Sequence, residues 1–205
     1  ATFTPADTNS YNSASKMVTM TVNKAYPVIA WTAPTAITYG TPLGDTQLNA
    51  SVGGGIAGTL TYTPAKPGVL DAGTHELSVS FTPADTARYN SVTAAVDLTV
   101  QKKTLTVTAD NKTKVSGDPD PTFTATHTGF VNSDDVSFLN GVVSFTTTAI
   151  ANSSNFTITP SRPADTNYSF SYVPGTLTVT TPTPTFSLTS ICDAFASPNC
   201  GSTVY

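Results

Sequence analysis

Apolar and polar residues alternate with a period of two in short runs along the chain. Residues 77–81 and 105–109 show this clearly, with Leu, Val, Phe or Ala at every second position and Ser or Thr between them. Such alternation is typical of a β-strand with one buried face, and residues that favour turns separate the runs. No segment has the apolar period of a helix. The pattern predicts an all-β chain of short strands.

One stretch occurs three times and sets the period of the chain. Pro-Ala-Asp-Thr, followed shortly by a Tyr, begins at residues 5, 83 and 163, so the copies start 78 and then 80 residues apart. The third copy is one residue shorter than the other two. Self-similarity at a fixed period indicates a tandem array of one structural unit.

The period predicts how the chain is divided. Seven or so short strands per repeat, separated by turn signals, indicate tandem immunoglobulin-like β-sandwiches. The predicted segments are the last two strands of a truncated repeat (1–24), two complete repeats (25–102 and 103–180), and a Pro/Thr spacer with a Cys-containing tail (181–205). Because Lys102-Lys103 leaves almost no linker, the two complete repeats should follow one another with limited hinge freedom.

Each copy of the repeated stretch predicts a tyrosine corner. Pro ends a strand because it cannot donate to a sheet ladder, and Asp accepts hydrogen bonds from nearby backbone amides in a turn. A Tyr after such a turn can bury its ring and bond its hydroxyl to backbone. We therefore expect turns at Asp7, Asp85 and Asp165, and buried tyrosines bonded to backbone at Tyr11, Tyr89 and Tyr168.

Antibody domains place a Cys two residues after the corner tyrosine. This chain has Ser13, Ser91 and Phe170 there, so apolar packing alone must hold each sandwich together. The only cysteines, Cys192 and Cys200, enclose a short loop in the tail. In a secreted chain such a pair predicts a disulfide, and two reactive thiols are the alternative.

Composition narrows the function classes. Charged residues make up 11% of the chain, against roughly 25% in ordinary globular domains. Thr and Ser replace them and suit the solvent faces of antiparallel sheets. A net charge of −4 argues against a nucleic-acid partner, and the absence of an 18-residue apolar run argues against a membrane span. The chain opens in mid-strand at Ala1, as expected if it is processed or trimmed.

Motifs for catalysis or cofactors do not hold up in context. Residues 53–58 spell G-x-G-x-x-G, but a strand pattern follows where a dinucleotide site needs a helix, so we expect a hairpin turn. His75-Glu76 begins H-E-x-x-H, yet Val79 stands where the second His is needed, and His127 lies in another repeat. The sequence predicts no enzyme and no cofactor.

Four aspartates are either ligands of a calcium ion or ordinary turn residues. Asp118, Asp120, Asp134 and Asp135 are the candidate ligands, and Ca²⁺ needs six to eight oxygens. They do not have the spacing of an EF-hand, and Asp is common in turns for local reasons. We expect no metal.

Both complete repeats contain motifs of known repeat families, in the first at residues 37–43, 47–50, 70–75 and 81–86, and in the second at residues 105–112, 129–132, 167–170 and 175–179. On these motifs the first repeat resembles the Ig-like repeats found in arrays of bacterial secreted and surface proteins. The second is similar to an MBG domain of the type with a Tyr-Gly turn, although residues 115–118 read Val-Ser-Gly-Asp and so lack the Tyr. The resemblance implies an extracellular, non-catalytic spacer or adhesion module.

Three functions from different classes follow. The first is a stalk or adhesin segment of a bacterial surface protein, with other copies of itself or a cell-surface ligand as partner. The second is a filament subunit in which the tail from Phe186 completes the open strands of residues 1–24 in a neighbouring copy. The third is a carbohydrate-binding accessory module, which needs a groove with exposed aromatics; Trp31 is the single Trp, and its place in a first strand suits a core at least as well.

Overall fold

The computed structural model describes residues 1–151 and 153–183. Nearly all regular structure in these residues is β, with two three-residue 3-10 helices, Gly53–Gly55 and Val136–Phe138. The predicted all-β sandwich class is confirmed. Cys192, Cys200 and the proposed donor strand from Phe186 lie outside the described residues.

Residues 1–24 form one small hairpin. Strand β1 (Thr2–Phe3) pairs antiparallel with β2 (Ala14–Ser15), and each has two residues. The second of the two strands predicted for this segment is much shorter than a repeat strand: it ends at Ser15, residues 16–24 form no strand, and Val22 is 80% exposed. The physical reason is that, among the described residues, nothing covers the apolar side chains of this segment, so a longer strand would bury no apolar surface.

The first complete repeat contains two sheets. In one, β3 pairs antiparallel with β5; in the other the order is β4-β8-β7-β6, with β4 parallel to β8 and the remaining pairs antiparallel. The strands are β3 (Ile29–Ala30), β4 (Ile37–Thr38), β5 (Ser51–Val52), β6 (Gly58–Thr63), β7 (Gly73–Pro83) and β8 (Val92–Gln101). Alternate residues of β7 (Leu77, Val79 and Phe81) are buried, as the two-residue period predicts.

The glycine-rich stretch does not form the expected hairpin. Gly53–Gly55 is a 3-10 turn between β5, which pairs with β3, and β6, which pairs with β7. The chain therefore crosses from one sheet to the other here. A sandwich needs such crossings, and the sequence signal for a tight turn does not distinguish them from hairpins.

The second complete repeat also contains two sheets. Their strand orders are β11-β9-β14 and β10-β15-β13-β12, with β10 parallel to β15. The strands are β9 (Lys103–Ala109), β10 (Lys112–Val115), β11 (Ala125–Thr128), β12 (Ser144–Ala149), β13 (Phe156–Ser161), β14 (Tyr168–Val173) and β15 (Gly175–Thr180).

Contacts group the chain into two compact units that cut across the sequence repeats. Within the described residues, unit 1 contains 1–106, 127–142 and 162–171, and unit 2 contains 107–126, 143–161 and 172–183, apart from residue 152. The domain boundaries predicted at residues 24, 102 and 180 follow the period of the sequence repeats and stay a prediction. Residues 127–142 and 162–171, from the second repeat, thus pack in the same unit as the first repeat.

Each unit has a core of its own. The core of unit 1 joins buried residues of both repeats: Tyr39, Leu43, Leu48, Leu77, Leu98 and Val100 from the first, and Leu105, Leu139 and Tyr168 from the second. The core of unit 2 is built on Ala109, Ile158 and Leu177, with four partly buried residues packed against it: Phe123, Phe145, Phe156 and Val179.

Candidate functional site

The three copies of the repeated stretch form the same aspartate turn. In each copy one carboxylate oxygen accepts hydrogen bonds from the backbone N–H groups two and three residues later, as the sequence predicts. The donors are Asn9 and Ser10 for Asp7 (3.0 and 3.2 Å), Ala87 and Arg88 for Asp85 (3.1 Å each), and Asn167 and Tyr168 for Asp165 (2.9 and 3.0 Å). A hydrogen bond from the Ser10 hydroxyl lowers the pKa of Asp7 most, and the bonds from the Asn9 and Ser10 N–H groups lower it further.

The three tyrosines after these turns differ in burial. Tyr168 is 1% exposed and its hydroxyl accepts a hydrogen bond from the backbone N–H of Val131 (3.2 Å), so it is buried and bonded to backbone as predicted, although Val131 lies 37 residues upstream. Tyr89 is only half-buried, and within the described residues its hydroxyl makes no hydrogen bond, so the prediction of a buried tyrosine bonded to backbone is wrong there. Tyr11 is 67% exposed, so the prediction of a buried residue there is wrong. Residues 1–24 contain no second sheet against which its ring could pack.

The missing residue of the third copy changes what the turn holds. In the longer copies the tyrosine N–H reaches the aspartate's backbone carbonyl, from Tyr11 to Asp7 (3.2 Å) and from Tyr89 to Asp85 (3.1 Å). In the third copy the Tyr168 N–H donates to the carboxylate of Asp165 instead. The side chain of Asp165 thereby fixes the backbone of the corner tyrosine directly.

Asp165 is buried, at 5% exposure, and is fully bonded. Its second carboxylate oxygen accepts from the Asn140 N–H (3.1 Å), and the Lys102 ammonium donates to its backbone carbonyl. Burial alone would raise its pKa. The three backbone donors and the charge of Lys102 outweigh burial and hold the pKa of Asp165 below its ordinary value.

Tyr168 also takes part in a bond between the two repeats. Its hydroxyl donates to Oδ2 of Asp134 (2.6 Å), and the hydroxyl of Tyr39, from the first repeat, donates to the same oxygen (3.0 Å). We call Tyr39, Asp134 and Tyr168 the docking contact. Burial, followed by the hydrogen bond to Asp134, raises the pKa of Tyr168 to about 12. Burial likewise raises the pKa of Tyr39, so both phenols stay protonated donors.

Ring packing and a glycine complete this contact. The Tyr39 and Tyr168 rings meet edge to face, with centroids 5.5 Å apart, and Phe130 packs against Tyr168 in the same manner at 5.6 Å. Gly40 has a φ of +92°, and a Cβ there would lie 2.6 Å from Cγ2 of Val131. Only glycine fits this position, for its conformation and for the close approach.

Asn167 forms a second link between the repeats. It is 3% exposed, its Nδ2 donates to Oδ1 of Asp71 (2.9 Å), and its Oδ1 accepts from the Ala72 N–H (2.8 Å). Its backbone carbonyl accepts from the N–H of Lys103, at the join of the repeats (2.9 Å). One buried residue therefore links the turn before β7 of the first repeat, through its side chain, to the start of the second repeat, through its backbone carbonyl.

The substitution Asn167→Ala should lower the free energy of unfolding by about 1.5 kcal/mol, because the partly buried N–H of Ala72 and the carboxylate of Asp71 lose their partner. Chemical denaturation of the full chain measures this. Asn9→Ala is the matched control, since Asn9 occupies the same place after its aspartate and is exposed. An equal effect of the two substitutions would contradict the role given to Asn167.

The other candidate ligands and aromatics are engaged locally. Asp120 pairs with Lys114 (2.8 Å), Asp135 accepts from the Ser137 N–H (2.8 Å), and Nε2 of His75 lies 2.7 Å from the Asp71 carbonyl. Residues 1–151 and 153–183 contain no group of three or more His, Cys, Asp or Glu side chains placed to hold a metal. Asp118 belongs to no such group.

His127 has an unusual environment. Its Nε2 atom is buried without a hydrogen-bond partner among the described residues, and its ring stacks on Phe130 at 6.2 Å. Burial, together with the positive charge of Arg162, lowers the pKa of His127. The folded state therefore favours the neutral imidazole.

We expect acid destabilisation that depends on His127. As the pH falls below about 6.5, the ordinary histidine pKa, the unfolded chain takes up the proton before the folded chain does, and stability decreases. His127→Phe should reduce the loss of thermal stability between pH 7.5 and pH 5.5, relative to the unsubstituted chain. Equal losses in the two proteins would contradict this expectation.

Sequence reasoning missed Tyr39, Asp71 and Asn167 as partners, and treated Asp134 only as a possible calcium ligand. One signal was present: Asn167 directly precedes the corner tyrosine, where the second copy has Arg88 and the first has Ser10. The pairing itself, across 95 residues between Tyr39 and Asp134, has no local signature.

The family model described as MBG domain (YGX type) matches residues 105–178. The second repeat matches the MBG family. None of the curated proteins matches the chain. MBG domains occur in surface proteins, so the MBG-type repeat is a surface-protein repeat module. None of the helices among the described residues is long and apolar enough to cross a membrane.

Proposed function

We propose that this chain is a non-catalytic segment of a bacterial extracellular stalk, whose neighbouring repeats are docked to one another. The docking contact carries this proposal: Tyr39 of the first repeat and Tyr168 of the MBG-type repeat share one carboxylate oxygen of Asp134. A stalk must transmit position along its length. Buried polar contacts between repeats serve that purpose, because separating them leaves donors without acceptors.

The engagement of polar and aromatic side chains supports a spacer over an enzyme or a sugar-binding module. The Trp31 indole N–H donates to the Gln47 carbonyl (3.1 Å), and the Trp31 ring meets Tyr62 edge to face at 5.5 Å. Trp31 is thus used in packing. A carbohydrate site built on Trp31 would need its ring face free for stacking.

Tryptic cleavage tests the proposal. Lys102 and Lys103 lie at the join, and their backbone is held by the Asn167 carbonyl and the flanking strands, whereas Lys16 and Lys24 lie in the exposed first segment. Digestion of the native chain should cut after Lys16 and Lys24 at least about tenfold faster than after Lys102, since cleavage needs local opening. Cleavage after Lys102 at the rate seen after Lys16 would mean a flexible linker and no docked stalk.

A filament subunit is the second candidate, favoured by the apolar side chains that residues 1–24 expose. Phe3 is 66% exposed and Met17 is 95% exposed. Sedimentation over a range of concentrations, with deletions of residues 1–24 and 185–205, distinguishes the candidates. Assembly that needs both segments supports strand exchange between copies. A monomer at all concentrations, or assembly that survives either deletion, removes it. Saturable binding on a glycan array would instead support an adhesion or carbohydrate-binding role.

A further inference from the structure

The turn that carries Tyr39 has a close counterpart in the MBG-type repeat. Residues 38–41 and 115–118 both follow a strand that runs parallel to the last strand of its repeat, and both have glycine in third place, with φ of +92° at Gly40 and +96° at Gly117. Both turns close with a hydrogen bond from the fourth N–H to the first carbonyl, at 3.0 and 3.1 Å. The backbone of the turn is therefore the same in the two repeats.

The two turns are also anchored in the same way. The Tyr39 N–H donates to the Gln101 carbonyl and the Ser116 N–H donates to the Thr180 carbonyl, each at 2.8 Å. Tyr39 and Ser116 are thus equivalent positions, next to the last residue of β8 and of β15. They differ in the side chain: Tyr39 is buried against Tyr168, whereas Ser116 is exposed. A Cβ on Gly117 would meet nothing within 4 Å.

The residues that receive the tyrosine also differ between the two repeats, and here it is the MBG-type repeat that has them. The MBG-type repeat provides Asp134, in the connection between β11 and β12, and Asn167 before its corner tyrosine. In the first repeat the corresponding connection, residues 53–57, contains no acidic residue. Arg88 stands before Tyr89 and is exposed, with its guanidinium near Asp85 (3.5 Å).

We propose that docking between repeats is specified by two separable parts, a donor and an acceptor. The donor is a tyrosine at the position of Tyr39, and the acceptor is the set Asp134, Asn167 and Tyr168. The first repeat is a donor without an acceptor, and the MBG-type repeat is an acceptor without a donor. The partner that fits a tyrosine-bearing turn is therefore another repeat of this kind with the acceptor set. This inference deepens the proposed stalk function and rests on it.

Residual dipolar couplings of backbone amides test the donor in the full chain. Residues 29–101 report on the first repeat, and residues 127–142 report on the acceptor. Couplings from both groups should fit one alignment tensor in the unsubstituted chain. In Tyr39→Ser, which installs the residue found at 116, the fit to one tensor should fail, while Ser116→Tyr should leave it intact. A common tensor in Tyr39→Ser would overturn the proposal.

Tyr39→Phe guards against a variant that does not fold. It keeps the ring in the core and removes only the donated hydrogen bond. We therefore expect the two groups of dipolar couplings to fit one tensor less well, while the amide spectrum keeps its native dispersion. Couplings that still fit one tensor as closely as in the unsubstituted chain would assign docking to ring packing alone and overturn the hydrogen-bond specificity.

Transplantation tests the two-part rule directly. A second copy of residues 102–180 is inserted after Thr180, which places an acceptor after the Ser116 turn at the spacing of the native join. Ser116→Tyr in the first copy should then raise Tm by about 2–4 °C, the shift that a contact of this size gives in a chain of this length. The same substitution without the insertion should leave Tm unchanged. No rise in the extended chain, or an equal rise in both, would overturn the rule.

The outcomes also separate this inference from the stalk itself. If the dipolar couplings and Tm values fail as described while the bond after Lys102 stays protected from trypsin, the repeats are docked by other contacts and only the donor rule is lost. Rapid cleavage after Lys102 in the unsubstituted chain would remove the docked stalk as well.

Discussion

Replacing Asp165 with Ala is expected to lower the free energy of unfolding by about 3 kcal/mol. The carboxylate is buried and accepts from three backbone N–H groups, two of which, those of Asn167 and Tyr168, belong to residues that are themselves buried. Alanine leaves these donors without acceptors, and water has little access to satisfy them. Urea denaturation at pH 7, followed by tryptophan fluorescence and circular dichroism, measures the change.

The other two copies provide matched controls. Asp85→Ala and Asp7→Ala remove the same two turn bonds, but Asp85 is half-buried and Asp7 is exposed, so water can replace the lost acceptor. We expect about 1 kcal/mol or less for Asp85→Ala and a value near zero for Asp7→Ala. Three equal losses would show that the turn bonds alone, and not the burial of the third copy, determine the effect.

The same aspartate predicts how stability responds to acid. Because the pKa of Asp165 in the folded state lies below its ordinary value of about 3.9, its ionised form stabilises the fold at every pH above that value. This contribution should decrease as the pH falls below about 4 and continue to decrease through the folded-state pKa. Asp165→Asn should flatten the stability profile in this acid range, and an unchanged profile would contradict the assignment.

Replacing Tyr168 with Phe is expected to lower the free energy of unfolding by about 2 kcal/mol. The ring and its packing against Tyr39 and Phe130 remain, so the loss comes from the hydroxyl. Without it the Val131 N–H lacks its acceptor and Asp134 loses its 2.6 Å donor. For a chain of this length the decrease corresponds to a fall in Tm of about 4–8 °C.

Tyr89→Phe and Tyr11→Phe are the controls for this prediction. The Tyr89 hydroxyl has no hydrogen bond within the described residues, and Tyr11 is exposed, so neither substitution should change stability by more than about 0.5 kcal/mol. A large loss for Tyr89→Phe, with none for Tyr168→Phe, would reverse the assignment of the corner.

Local chemistry was predictable from the sequence, as the aspartate turns show. The bonds of Asp7, Asp85 and Asp165 involve only residues two and three positions away, so the residue types suffice to predict them. The strands β7 and β9 could also be predicted from the sequence, because the alternation of buried and exposed positions is a property of contiguous residues. The MBG resemblance was likewise visible in contiguous motifs and is confirmed over residues 105–178.

Burial of the tyrosines was not predictable in the same way. Tyr11 and Tyr168 follow nearly identical sequences, yet one is exposed and the other has an exposure of 1%. The difference lies in what surrounds them: Tyr168 meets Tyr39 and Asp134, which come from distant parts of the chain, whereas nothing in the described part of the chain covers Tyr11. Long-range partners of this kind depend on the assembled fold.

The shortened third copy shows how such an array can diversify. The third copy has one residue fewer between the aspartate and the tyrosine, which puts an asparagine next to the corner, where Arg88 stands in the second copy, and gives the tyrosine N–H a carboxylate in place of a carbonyl. The strands on either side need not change. In a tandem array, an insertion or deletion of one residue at this turn therefore changes the contacts between neighbouring repeats. The interior of each sandwich is not affected by such a change.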